Sequence, residues 1–152
     1  MKRKQLRKSD VRKINEEIEE RYGAEDVISK SDTVELIDDE VVSVNGNPIL
    51  FYSEGILVPT LKYLLNDQIL KKAVVDMGAV KFVTGGADIM RPGIVEIDEG
   101  ISKGDFIAIV DQNNGKPLSV SQAMFDSDEI RSKDSGKVLK NVHHVGDRIW
   151  NI

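Results

Sequence analysis

The sequence predicts an α+β fold in two parts, an antiparallel sheet with helices over residues 1–72 and a small barrel of short strands over residues 73–152. Three observations lead there. A single amphipathic stripe opens the chain, and an Asn45-Gly46-Asn47 hairpin signal follows between β-branched runs. After Lys71-Lys72 the helical texture gives way to short strands joined by turns.

Val11, Ile14, Ile18 and Tyr22 recur at spacings of three and four, which predicts a helix capped by Ser9 and ended by Gly23. Thr33 to Asp38, Val41 to Val44 and Pro48 to Tyr52 read as strands. Pro59 is expected to start a second short helix carrying Leu61, Leu64 and Leu65. Val74 to Asp76 reads as a strand, then a helix from about Gly78 that gives out at Thr84-Gly85-Gly86. Pro92-Gly93 turns the chain into another strand. Phe106 to Val110 and Pro117 to Ala123 pair across DQNNGK, DSDEIRSKDSG forms a polar helical turn, and VLKNVHHVGDRIW reads as mostly strand.

Composition narrows the function classes. With 40% hydrophobic and 31% charged residues the chain reads as globular. No apolar run approaches the roughly 20 residues that cross a bilayer, and the basic start MKRKQLRKSDVRK has no apolar stretch behind it, so no membrane role and a cytoplasmic location are expected. The absence of cysteine excludes disulfides, thiolate zinc sites and cysteine nucleophiles. His143 and His144 are the only histidines; as strand neighbours they point to opposite faces, one inward and one exposed, and do not chelate one ion. No Walker or GxGxxG spacing occurs and no carboxylate pairs with a nucleophile, so neither catalysis nor a cofactor is expected. The formal net charge of −5 is the wrong sign for wholesale phosphate binding, although residues 1–13 carry seven basic side chains against Asp10.

The stretch GAVKFVTGGADIMRPGI (Gly78 to Ile94) concentrates the unusual backbone. Two successive glycines permit close approach of a partner, and bared N–H groups there would bond phosphate or base edges. Lys81 and Arg91 flank the loop as candidate charges. The competing reading is a tight turn that only closes a barrel. Phe82, Met90 and Trp150 are expected in the core.

The run VVDMGAVKFVTGGADIMRPGI, with KGDFIAIVD, GKPLSVSQA and HHVGDRIW, resembles a PUA domain, the RNA-binding module named for pseudouridine synthases and archaeosine transglycosylases. The preceding PTLKYLL resembles the segment that joins a pre-PUA domain to its PUA domain, as in the malignant T-cell-amplified sequence family and the N-terminal part of ligatin. The resemblance implies a PUA pseudo-barrel that contacts RNA, often near a tRNA CCA end, through Lys81, Phe82, Thr84, Gly85, Gly86, Ala87 and Arg91. It implies a non-catalytic protein binding tRNA or the small ribosomal subunit in translation initiation or recycling, with a separate translation-factor partner. The alternatives are an accessory RNA-binding subunit of an RNA-modifying enzyme and a protein-interaction module that has lost RNA binding.

Overall fold

Val11, Ile14, Ile18 and Tyr22 lie on one face of α1 (Lys8–Tyr22), and Ile14 and Ile18 are fully buried. The computed structural model describes residues 1–152, which divide into two units, Met1–Ile69 and Leu70–Ile152. In the first unit α1 starts two residues earlier than the Ser9 cap predicts, with Arg7 at the cap position. The Asp10 carboxylate reaches back to accept the Arg7 N–H at 3.0 Å, and an acid three residues into a helix caps it as well as a leading serine does. Gly23 ends the helix at φ 73 with its N–H on the Glu19 carbonyl.

The sheet of this unit runs β1 (Arg3–Gln5), β2 (Val34–Ile37), β3 (Val41–Val44), β4 (Asn47–Ser53) and β5 (Ile56–Pro59), each antiparallel to the next. Asn45 and Gly46 both take positive φ, at 52° and 86°, and form the expected two-residue hairpin turn. β1 was not legible, because Arg-Lys-Gln has no strand propensity. It forms through pairing with β2, aided by Arg3 lying 3.5 Å from Glu35. At the other edge α1 covers β5: Glu17 accepts the Leu57 N–H and the Tyr22 hydroxyl donates to the Leu57 carbonyl. Pro59 ends β5 and does not start a helix. On an edge strand its missing N–H costs no ladder bond, and Thr60 caps the single turn α2 (Leu61–Leu64) by accepting the Tyr63 N–H. Leu65 lies outside that turn, exposed.

The second unit contains β6 (Lys72–Val75), α3 (Met77–Thr84), β7 (Ile89–Met90), a 3₁₀ turn (Arg91–Gly93), β8 (Ile94–Ile97), β9 (Phe106–Asp111), β10 (Pro117–Ala123), α4 (Ser127–Ser132) and β11 (Lys137–His144). Its strand order is β7-β11-β10-β9-β6-β8, with only β6 and β9 parallel. The two end strands β7 and β8 are joined by the three-residue turn. The sheet therefore curls toward closure, and register shifts in β6, β10 and β11 bend the strands to match. Inward positions such as Val75, Ile107, Ile109 and Leu139 fill the barrel and are 0–1% exposed. β11 stops at His144 and not at Trp150, because Asp147 accepts the His144 and Trp150 N–H groups and folds the end into a turn.

Asp111 organises the β9–β10 connection. It accepts N–H bonds from Asn113, Asn114 and Lys116, and the Asn114 bond leads the effects that hold its carboxyl below the ordinary carboxylate range. Asp111→Ala is expected to cost about 1–2 kcal/mol, since the released N–H groups sit in an exposed turn and recover water. Urea unfolding followed through Trp150, the single tryptophan, measures it.

Candidate nucleic-acid interface

α3 begins where Asp76 leaves β6 in an extended conformation and accepts the Ala79 N–H at 2.9 Å. Val83 points into the barrel, with Ala79 and Val80 against the core. The outer face carries Met77, Lys81 and Phe82. Phe82 is 59% exposed and Met90 47%, so neither is a core residue as the sequence reading expected. Phe82 lies off the one stripe that α3 buries, and Met90 alternates with buried Ile89 along β7, so both point away from a barrel interior already filled. Lys81 Nζ lies 5.2 Å from the Phe82 ring centroid.

The helix ends in a Schellman motif. Gly85, Gly86 and Ala87 donate their N–H groups to the carbonyls of Lys81, Val83 and Phe82, with Gly86 at φ +94. This corrects the expectation of bared amides: the three loop N–H groups satisfy the helix terminus and form no anion nest. A ligand at this loop meets side chains and the space left by absent Cβ atoms. The Thr84 hydroxyl is likewise committed to the helix end, donating to the Val80 carbonyl.

Arg91 also differs from its expected role. Its Nε donates to the Ile130 carbonyl at 2.7 Å, and its Nη atoms donate to the Ile94 and Arg131 carbonyls. These bonds tie the 3₁₀ turn to α4, so the side chain serves first as a brace between loop and helix. Gly93 lets the same turn approach α3 closely; a Cβ there would stand 3.3 Å from the Ala79 Cβ.

Together α3, the glycine loop and the β7–3₁₀ corner enclose a groove of about 770 Å³. Its floor is made of small residues, Gly78, Ala79, Gly86 and Gly93, and its sides of Phe82, Met90 and Pro92. Lys137 stands at the rim, 3.6 Å from the Asp88 carboxylate. Of the sequence candidates, Phe82, Gly86 and Ala87 line this groove; Lys81, Thr84, Gly85 and Arg91 do not, although the Lys81 ammonium stands beside the Phe82 ring.

Sequence reasoning missed Lys137, Asn141 and the position of His144. Asn141 braces the loop: its Nδ2 donates to the Val83 and Ala87 carbonyls, and its N–H donates to Asp88. Nothing local marks these residues, since they come from β11, more than 50 positions downstream of α3. A second groove, about 810 Å³, lies in the first unit between α1 and residues 26–34. Its charges are mixed, Lys8, Arg12 and Lys30 against Glu16, Glu19, Asp26 and Asp32, which favours no single ligand sign. No three His, Asp or Glu side chains are placed to hold a metal, and no helix is long and apolar enough to cross a membrane.

Comparison with known proteins matches residues 71–145 to the PUA domain and residues 2–67 to a domain of unknown function, DUF1947. An uncharacterized protein of Methanocaldococcus jannaschii is 43% identical, over 99% of this chain and 96% of its own length. Translation machinery-associated protein 20 of Saccharomyces cerevisiae is 32% identical over 84% of this chain and 76% of its own. Malignant T-cell-amplified sequence 1 of Danio rerio is 30% identical over 83% and 75%. Among solved structures, a hypothetical protein of Pyrococcus horikoshii superimposes with a TM-score of 0.85 at 31% identity, covering 99% of this chain and 98% of that one. A chain of an H/ACA ribonucleoprotein bound to a substrate RNA gives a TM-score of 0.52 at 28% identity, over 65% of this chain and 31% of that one.

Proposed function

Because the chain belongs to the family that joins a DUF1947 domain to a PUA domain and includes translation machinery-associated protein 20 and malignant T-cell-amplified sequence 1, we propose that it is a non-catalytic RNA-binding protein of the translation apparatus. The observation that carries the reading is the groove beside the glycine loop, where an exposed aromatic ring and a small-residue floor meet, with Lys137 in the lining and Lys81 beside the ring. An unpaired nucleobase presents a flat apolar face with a phosphate on either side. The ring of Phe82 stacks on such a face, while Lys81 and Lys137 reach the phosphates outside. Asp76 and Asp88 in the groove disfavour a phosphate within it, so the bases enter and the backbone stays at the rim.

The RNA is a tRNA acceptor end, or an exposed segment of small-subunit ribosomal RNA, engaged during initiation or recycling. The names of the yeast and fish relatives and the RNA-bound neighbour support this reading. A net charge of −5 agrees with a local patch in place of a basic face. We assign the contact to the second unit, with a translation factor as the separate partner of the whole protein.

Titration of labelled tRNA, intact and lacking its 3′ CCA, tests the proposal at two salt concentrations. CCA-dependent binding is expected, with log affinity falling by about 0.7 per contacted phosphate per decade of salt. Failure to bind tRNA or small ribosomal subunits at near-physiological salt overturns it.

A further inference from the structure

The His143-His144 doublet has no part in the stacking groove, yet its two rings are held with unequal purposes. His143 is 0% exposed, and its Nδ1 bonds both Asp147 carboxylate oxygens at 2.9 and 3.0 Å. His144 turns the opposite way, toward the glycine loop. The same carboxylate accepts the His144 main-chain N–H at 3.0 Å, so one group fixes the position of both residues.

The His144 Nδ1 lies 3.0 Å from the Val145 carbonyl. A carbonyl only accepts, so the ring proton sits on Nδ1, and in the neutral imidazole the lone pair is then on Nε2. That nitrogen makes no hydrogen bond within the protein. It faces Gly86, where a Cβ would stand only 2.8 Å away. The missing side chain therefore does more than permit φ +94: it makes room for the imidazole edge that carries this acceptor, on a half-buried ring beside the loop.

We propose that His144 Nε2 is a contact and specificity residue of the RNA site, accepting a hydrogen bond from an O–H or N–H donor on the bound strand. The assignment rests on the RNA reading of the loop. Phosphate oxygens are acceptors only and cannot satisfy this lone pair; a ribose hydroxyl or a nucleobase N–H can. With the Gly85, Gly86 and Ala87 amides committed to the helix end, this acceptor supplies polar recognition that the loop backbone does not. It distinguishes strands by their donors, where stacking on Phe82 accepts any base.

The test uses the full chain and a single-stranded RNA ending in CCA, beside the same strand with 2′-deoxy sugars. His144→Phe keeps the ring and removes the acceptor; His144→Gln replaces the ring with an amide oxygen. Expected is a loss of about tenfold with His144→Phe and substantial recovery with His144→Gln. If the donor is a ribose hydroxyl, the loss vanishes on the deoxy strand; if it is a base N–H, the loss persists. The ¹⁵N resonance of His144 Nε2 in the unaltered protein supplies a readout that needs no variant, and it shifts when RNA binds. RNA binding by His144→Phe equal to the unaltered protein, or an Nε2 resonance that RNA leaves in place, overturns the assignment alone. An unaltered protein that binds no RNA overturns the RNA reading together with it.

Discussion

Phe82→Ala lowers affinity for single-stranded RNA by about 5- to 150-fold and leaves the folding midpoint nearly unchanged. The range is that of one base–aromatic stack, about 1–3 kcal/mol. The stability expectation follows from exposure: a ring 59% open to solvent contributes little to the barrel, and surface substitutions commonly stay within about 0.5 kcal/mol. Phe82→Tyr keeps the π face and is expected to bind nearly as well. Phe82→Leu keeps apolar bulk without the flat face and is expected to fall between. Fluorescence anisotropy with a short CCA-ending RNA, paired with a urea titration of each variant, separates the two effects. Equal affinity for Phe82→Ala and the unaltered protein removes the groove as the stacking site.

Asp147→Ala destabilises the second unit by about 2–4 kcal/mol. Asp147 accepts from His143 Nδ1, the His144 N–H and the Trp150 N–H, and the His143 side chain is only 1% exposed. Without the carboxylate the buried imidazole loses its acceptor on that side, which costs more than freeing an exposed group. Burial opposes the charge of Asp147. The bonds from His143, Trp150 and His144 outweigh it and pull the carboxyl down from its ordinary 3.8 to about 2. A folded-state value below the unfolded one stabilises above the unfolded pKa and is lost as pH falls through the folded one. The stability difference between the unaltered protein and Asp147→Asn therefore narrows as pH falls from about 4 to about 2. Trp150, beside the site, reports the transition in urea series at several pH values.

The strands and helices marked by periodicity and turn chemistry were readable in advance. α1 follows its stripe, the β3–β4 hairpin follows Asn45-Gly46, and α3 runs from Asp76 to the glycines. Elements without a local signal were not readable. β1 is a strand only because β2 offers it a ladder, and Pro59 ends a strand because that strand lies at a sheet edge.

The candidate site divides in the same way. Sequence directed attention to Gly78 to Ile94 through its glycines, Pro92, Lys81 and Arg91, whose peculiarities are local. Their roles were not legible, because a role depends on what lies opposite. Phe82 and Met90 face solvent since the barrel interior is filled from other strands; Arg91 is a brace since Ile130, Arg131 and Ile94 present carbonyls to it. Asn141 and His144 join the loop only when β11 is laid beside it. Sequence by itself determined where the backbone is special, because φ preference and helix capping act within a few residues of the chain. Which side chains are open, and which are consumed by the fold, was decided by tertiary structure, because burial and hydrogen-bond partners come from segments distant in sequence.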